Sequence, residues 1–122
     1  MENYECTVSI ESVDSKDSYK VEVHDDIEKE TLFYKEEDKT ITSFDYKNNI
    51  LTRDNEKMKL TYYFLLNYKT KNKIFIKDLD KELEVEVITR KLEKSENYIE
   101  VVYEIENNKF TYRIDKEMKI WV

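Results

Sequence analysis

Apolar and polar residues alternate along most of this chain, and this two-residue period most constrains how it can fold. Cys-Thr-Val-Ser-Ile at 6–10 and Leu-Glu-Val-Glu-Val at 83–87 both have an apolar residue at every second position. The period recurs at 19–23, 99–105 and 110–114. Successive side chains of a β-strand point to opposite faces, so the pattern indicates strands with one buried face. We therefore expect an all-β protein.

Nine or ten such segments fit into the 122 residues. That is about one strand and turn per twelve residues, which suits a barrel or a sandwich. The sequence contains neither glycine nor proline, so we expect Asn and Asp to take the turn positions that need positive φ. Asn48-Asn49, Asp54-Asn55 and Asn107-Asn108 are the predicted turns. The last gives the clearest hairpin, with both Asn in a type I′ turn.

Some segments are harder to assign from the pattern. We predict one strand over 59–68, which is partly apolar on both faces, and a polar hairpin tip at 69–72. We expect another tip, charged and solvated, at 36–39. Residues 80–94 also fit the helical period, so a helix there is an alternative. At the end of the chain, Met118, Ile120 and Val122 share one face and Trp121 lies on the other.

Length and composition bound the class of protein. Residues 1–122 suit one domain with one core, since 39% of the residues are apolar and 13% aromatic. The net charge of −7 disfavours nucleic acid and anionic membrane as partners. Cys6 is the only cysteine, so no internal disulfide can form. No run approaches the ~20 apolar residues that a membrane helix needs, and the N-terminus shows no leader pattern. We expect a cytoplasmic protein.

Three segments resemble a known family. Leu-Phe-Tyr-Lys-Glu-Glu-Asp-Lys-Thr-Ile-Thr-Ser-Phe at 32–44 is similar to an aromatic hairpin of the YwiB-like family of small uncharacterised bacterial proteins. Residues 83–93 are similar to its alternating strand ending Thr-x-x-Leu, and 99–106 to its late strand with a Tyr. The family's Thr-Pro-Tyr-Gly loop is replaced by Asp-Leu-Asp-Lys at 78–81.

This resemblance implies a fold and leaves the function open. It implies a single antiparallel, calycin-like barrel related to the lipocalins, whereas alternation alone suits a β-sandwich equally well. The family has no established activity. Barrels of this kind often hold small apolar ligands, and we take Tyr62, Phe64, Tyr103 and Tyr112 as candidate ligand-binding residues of the interior.

Catalytic and metal-binding patterns are missing from the sequence. His24, the only histidine, is out of register with the apolar face, so we interpret it as a surface residue. Cys6 lies on the apolar face, where a thiol packs as a small hydrophobe. One histidine and one cysteine do not give the ligand spacing of a zinc site. They also do not supply a catalytic set of nucleophile, base and orienting residue. We expect a non-enzymatic protein without cofactor or metal, although a carboxylate-only site remains an alternative.

Charge is distributed unevenly along the chain. Residues 22–38 contain eight acids and two lysines, a net charge of −6, whereas 57–77 contain six lysines and no acid. The acidic segment suggests an alternative function as a protein-interaction module, in the extreme case a nucleic-acid mimic. Aromatic residues within the basic segment could stack on the bases of a single-stranded nucleic acid. A pair of β-strands with its aromatic residues in the core and lysines along the exposed edge explains them better. A homodimer covering Tyr63, Leu65 and Trp121 is left open.

Overall fold

The computed structural model describes residues 1–120 and confirms the all-β prediction. Its strands are β1 (Glu2–Glu11), β2 (Lys16–Asp26), β3 (Thr31–Lys35), β4 (Ile41–Asp45), β5 (Ile50–Asp54), β6 (Met58–Tyr63), β7 (Lys69–Ile76), β8 (Lys81–Lys94), β9 (Tyr98–Ile105) and β10 (Asn108–Ile120). A short 3₁₀ helix, Lys77–Leu79, precedes β8. No helix within the described range is long and apolar enough to cross a membrane. The predicted positions of Trp121 and Val122 lie outside the described residues.

The ten strands form one closed antiparallel barrel. Each strand pairs with the next one along the chain, and β1 pairs with β10 to complete the ring. The barrel prediction is therefore correct, and the sandwich and helix alternatives are wrong. Within 80–94, Val85 and Val87 turn toward the interior and Glu84 and Glu86 face out, as the strand period requires, whereas Leu83 is exposed.

The core occupies the inside of this ring and follows the alternation of the strands. Val8 of β1, Val23 of β2, Phe44 of β4 and Val101 of β9 are fully buried. The inward-facing residues at either end of the strands are only partly buried and pack against this core. Closure thus gives the barrel a packed centre with more accessible ends.

Two predicted boundaries on either side of the β6–β7 connection are wrong. β6 ends at Tyr63 because the chain turns at Asn67, whose φ is 66°. The predicted tip at 69–72 belongs to β7, since its polar residues pair along β8. Buried Asn72 bridges the irregular β6–β7 contact: its Oδ1 accepts from the backbone N–H of Tyr63 at 2.7 Å, and its Nδ2 donates to the Thr70 carbonyl at 3.2 Å.

The predicted Asn107-Asn108 hairpin exists, but its turn lies one residue earlier. Glu106 and Asn107 have positive φ, at 50° and 67°, while Asn108 already pairs with Ile105 in the ladder. Pairing of the two apolar faces fixes this register. Glu30 and Lys39 also have positive φ, so residues other than Asn and Asp share this role in a chain without glycine.

Replacing Glu106 with glycine is expected to stabilise the protein by about 0.5 kcal/mol. The left-handed conformation costs a non-glycine residue roughly 1 kcal/mol, and the greater chain entropy of unfolded glycine offsets part of the gain. Urea unfolding measures the change. Glu37→Gly is the control, because Glu37 is not among the positive-φ residues and its replacement should destabilise the protein. A lower urea midpoint for Glu106→Gly would contradict the prediction.

Candidate functional site

The wall of the barrel is least complete between β2 and β3. β2 has eleven residues, yet only His24–Asp26 pair with β3. A cleft of about 280 Å³ opens where the earlier part of β2 runs beside the β3–β4 hairpin. Its lining residues are Tyr19, Lys20, Val21, Lys35, Glu36, Glu37 and Asp38. We call it the seam cleft, and it connects solvent to inward-facing side chains.

An ion pair between Glu36 and Arg53 forms the inner end of the seam cleft. Nη2 of Arg53 donates to Glu36 Oε1 at 3.1 Å and to Oε2 at 2.9 Å. The Tyr19 hydroxyl donates to Oε1 at 2.5 Å and the Thr42 hydroxyl to Oε2 at 3.1 Å. Each carboxylate oxygen therefore accepts two hydrogen bonds. These contacts fix the position of the Glu36 carboxylate, whose side chain is only 11% exposed.

Strand alternation explains why both charges face inward. Arg53 lies two residues beyond buried Leu51, and Glu36 lies two residues beyond buried Tyr34. The prediction that the whole 36–39 tip is solvated is therefore wrong for Glu36, because its partner Arg53 draws it to the interior side. Burial opposes the charge of Arg53, but the hydrogen bond and charge of Glu36 raise its pKa overall.

A second polar contact lies deeper in the barrel. The hydroxyls of Tyr34 and Tyr112 share a hydrogen bond of 2.5 Å, and both side chains are almost completely buried. Burial raises the pKa of each phenol. Tyr19 connects the two polar groups, since its ring is 6.5 Å from that of Tyr34 and its hydroxyl binds Glu36.

The four predicted ligand-binding residues all lie in the buried interior. The structure brings three of them into one ring cluster: Tyr103 is 6.0 Å from Tyr62 and 5.2 Å from Phe64, measured between centroids. Phe110 stacks on Tyr103 at 5.4 Å. Tyr112 makes no recorded ring contact with this cluster, and its hydroxyl is hydrogen-bonded to that of Tyr34. No ligand role follows from these positions alone.

The polar atoms around the aromatic cluster differ in how deeply they are buried. The hydroxyls of Tyr62 and Tyr103 make no hydrogen bond within residues 1–120, but neither oxygen is fully buried. Thr89 Oγ1 is buried without a partner, and Thr89 is opposite Tyr103 in the ladder. Arg53 uses Nη2 alone, which leaves Nε and Nη1 free among the described residues. Unsatisfied buried groups are costly, so Thr89 Oγ1 needs an explanation such as a water molecule, whereas the other groups can reach solvent.

Glu36 and Arg53 are the residues that sequence reasoning missed. A signal was present for Arg53, because an arginine two residues after an inward-facing leucine breaks the apolar face of β5. Glu36 gave no comparable signal, since a glutamate beside a predicted turn is ordinary.

Cys6 and His24, considered above as a nucleophile, a base or a metal ligand, are not placed together in a reactive site. Cys6 is fully buried, and burial raises the pKa of its thiol to about 11. His24 lies on the outer face, where Nδ1 is hydrogen-bonded to Asn3 Oδ1 at 2.6 Å and the ring is 5.1 Å from Phe33. Across positions 1–120, no three His, Cys, Asp or Glu residues are placed to hold a metal ion.

The acidic segment is less negative on its surface than its sequence suggests. Glu36 is turned inward, and Asp25 is buried and accepts a hydrogen bond from Tyr46 at 3.0 Å. Glu30 lies 3.7 Å from the ammonium of Lys47. The interaction-module hypothesis stays a prediction.

The basic segment is divided between the interior and the surface. Tyr62 and Phe64 face the core, whereas Tyr63 and Tyr68 are exposed. Ion pairs also engage three of the lysines. They are Lys69 with Glu86, Lys73 with Glu82 and Lys77 with Asp54. Much of the basic charge is therefore neutralised by neighbouring strands.

Buried tyrosines predict a loss of stability at alkaline pH. Burial raises the pKa of Tyr34 and Tyr112 above the 10.0 of a free phenol. Above that pH the unfolded chain releases phenol protons that the native state retains, so the free energy of unfolding falls as pH rises. Urea unfolding between about pH 9 and about pH 11 should show this fall. A Tyr34→Phe/Tyr112→Phe variant should show a smaller fall, and equal slopes would contradict the assignment.

The fold and its interior define a small closed β-barrel with a partly buried ion pair and an aromatic cluster. The chain is similar to the crystal structure of ywiB protein from Bacillus subtilis, with a TM-score of 0.56 and 12% sequence identity. The match covers 96% of this chain and 92% of the other. At this identity the likeness shows the fold alone. No protein-family model and no curated protein matches the chain, so calycin-like classification stays a prediction.

Proposed function

We propose that this protein is a non-enzymatic binding barrel that holds a small, largely apolar or aromatic molecule inside the seam. One observation carries the proposal: only His24–Asp26 of β2 pair with β3, and a cleft of about 280 Å³ opens there beside Tyr19, Val21 and Glu36.

The dimensions of the seam cleft support this proposal. Its volume of about 280 Å³ is near the lower end for small-molecule pockets, roughly 300 Å³. Tyr19 and Val21 give its wall apolar surface, and Glu36 closes its inner end.

Binding explains the chemistry of the site better than catalysis does. Both oxygens of the Glu36 carboxylate are already occupied by four hydrogen bonds from Tyr19, Thr42 and Arg53, so it is poorly placed to act on a substrate. The buried Cys6 thiol is held protonated by its raised pKa. A free cysteine also fits the reducing cytoplasm that we propose as the location.

Native mass spectrometry of the purified full chain tests the binding function. We expect a fraction of the wild-type protein to retain a small organic adduct, or to gain one after incubation with 2-acetonaphthone. Val21→Trp should reduce that fraction because the indole fills the seam cleft. Val13→Trp is the matched control, since Val13 is exposed and does not line the cleft.

The variants also separate specific binding from surface association. Equal adduct levels in both tryptophan variants would place the molecule elsewhere on the protein. If the wild type carries no adduct under either condition, the binding function is wrong.

A further inference from the structure

We propose a second binding site at one mouth of the barrel, which takes a small zwitterion with an ammonium group, a carboxylate group and an apolar body. This site is separate from the seam cleft, and it does not depend on the binding function proposed for that cleft. A cavity of about 320 Å³ opens at this mouth, and we call it the mouth pocket. Its lining includes Asp25, Leu32, Tyr46, Lys94, Ile99 and Lys116.

The lining of the mouth pocket comes from opposite sides of the ring. Asp25 and Leu32 lie where β2 ends and β3 begins, whereas Lys94 ends β8 on the far side. Lys94 Nζ donates to the Tyr46 carbonyl and to Asn49 Oδ1, each at 2.8 Å, so its side chain reaches across the mouth. Mouths of β-barrels are common places for small-molecule sites, and the volume of the pocket is within the range of such sites.

Asp25 is the most deeply buried charged residue of the mouth pocket, with only 8% of its surface exposed. Its Oδ1 accepts a hydrogen bond from the Tyr46 hydroxyl at 3.0 Å, whereas Oδ2 has no hydrogen-bond partner among residues 1–120. A carboxylate in so poorly solvated a place gains most from a charged donor, and an ammonium group is such a donor. The pocket therefore suits a ligand ammonium beside Asp25.

Two lysines of the same pocket supply the opposite charge. Lys116 is half-buried, and its Nζ lies 4.4 Å from the centroid of the Tyr4 ring without an ion pair or hydrogen bond to any of residues 1–120. Lys94 donates only to neutral oxygens. Neither lysine forms an ion pair with Asp25, so the pocket holds its opposite charges apart. A molecule that carries both charges can satisfy both.

The remaining wall of the mouth pocket favours an apolar body between these charges. Leu32 and Ile99 are both buried core residues that line the pocket. Apolar surface placed against them is removed from water, which is favourable. A free amino acid with a small apolar side chain combines the three requirements.

Three molecules that share one isobutyl body test the proposal on the full chain. Leucine carries both charges, 3-methylbutylamine carries only the ammonium, and 4-methylpentanoate carries only the carboxylate. Isothermal titration calorimetry at neutral pH gives each Kd. We expect leucine to bind about 10-fold more tightly than either of the others, because a hydrogen bond to a charged group contributes that much or more.

Two variants connect this preference to the named residues. Asp25→Asn keeps an acceptor for Tyr46 but removes the charge, so it should weaken leucine binding about 10-fold without weakening 4-methylpentanoate binding. Lys116→Met removes the ammonium, so it should weaken leucine binding about 10-fold and leave 3-methylbutylamine binding unchanged. Circular dichroism confirms folding, and each variant tests the proposal if the other fails to fold.

The seam variant Val21→Trp is the matched control, since Val21 does not line the mouth pocket. It should bind leucine as the wild type does, and a loss of leucine binding there would place the molecule in the seam cleft and overturn the second site. The second site is also overturned if none of the three molecules binds, if leucine binds no more tightly than the others, or if both mouth variants keep wild-type affinity. None of these results contradicts binding in the seam cleft, which the 2-acetonaphthone adduct tests separately.

Discussion

Replacing Arg53 with methionine is expected to lower the free energy of unfolding by about 3 kcal/mol. Methionine fills a similar volume but leaves the Glu36 carboxylate with only the Tyr19 and Thr42 hydroxyls as donors. Breaking a buried ion pair on one side costs roughly 3 to 5 kcal/mol. The lower value applies because the Arg53 side chain is 31% exposed. Urea unfolding by circular dichroism measures the loss.

A double-mutant cycle separates the ion pair from the packing of its side chains. Glu36→Leu alone leaves the arginine uncompensated and should also destabilise the protein. Arg53→Met/Glu36→Leu removes both charges, so we expect it to be more stable than the Arg53→Met variant. If the two single losses simply add in the double variant, the pair does not act as a unit.

Replacing Tyr112 with alanine is expected to cost about 4 kcal/mol. Its side chain is almost completely buried, and truncation of a large aromatic residue in a core costs roughly 3 to 5 kcal/mol because the cavity closes only in part. The change also removes the hydrogen-bond partner of the Tyr34 hydroxyl. The midpoint of urea unfolding gives the loss, and a loss comparable to that of an exposed tyrosine, such as Tyr68→Ala, would contradict it.

Phenylalanine variants divide this loss between packing and hydrogen bonding. Tyr112→Phe keeps the ring and leaves the Tyr34 hydroxyl unpaired, which should cost about 1 to 2 kcal/mol. The double variant Tyr34→Phe/Tyr112→Phe removes both hydroxyls and should be no less stable than Tyr112→Phe. A double variant that loses the sum of both single changes would show that each hydroxyl has another partner.

The core of the barrel was predictable because it depends on local alternation. Val8, Val87 and Val101 lie on the inner face, as the two-residue period requires. The positions of Tyr62, Phe64, Tyr103 and Tyr112 in the interior follow from the same period. Exact turns were less predictable, since the register of paired strands moved the β9–β10 turn onto Glu106.

The ion pair was not predictable, because it depends on contacts between separate hairpins. Alternation places Arg53 on the inner face of β5, but only the packing of β3, β4 and β5 brings Glu36 to it. The seam cleft likewise depends on how few residues of β2 pair with β3. These distances follow from the geometry of the closed ring rather than from any short segment.

The sequence by itself determined the strands, their buried faces and most of the core, because the strand period acts between neighbouring residues. Only the tertiary structure decided that the sheet closes, since Val8 must pair with Ile114 at the other end of the chain. It also decided where the wall stays open and which polar side chains meet inside it, as Glu36 and Arg53 do. Those features arise when distant strands meet, and they define the candidate site.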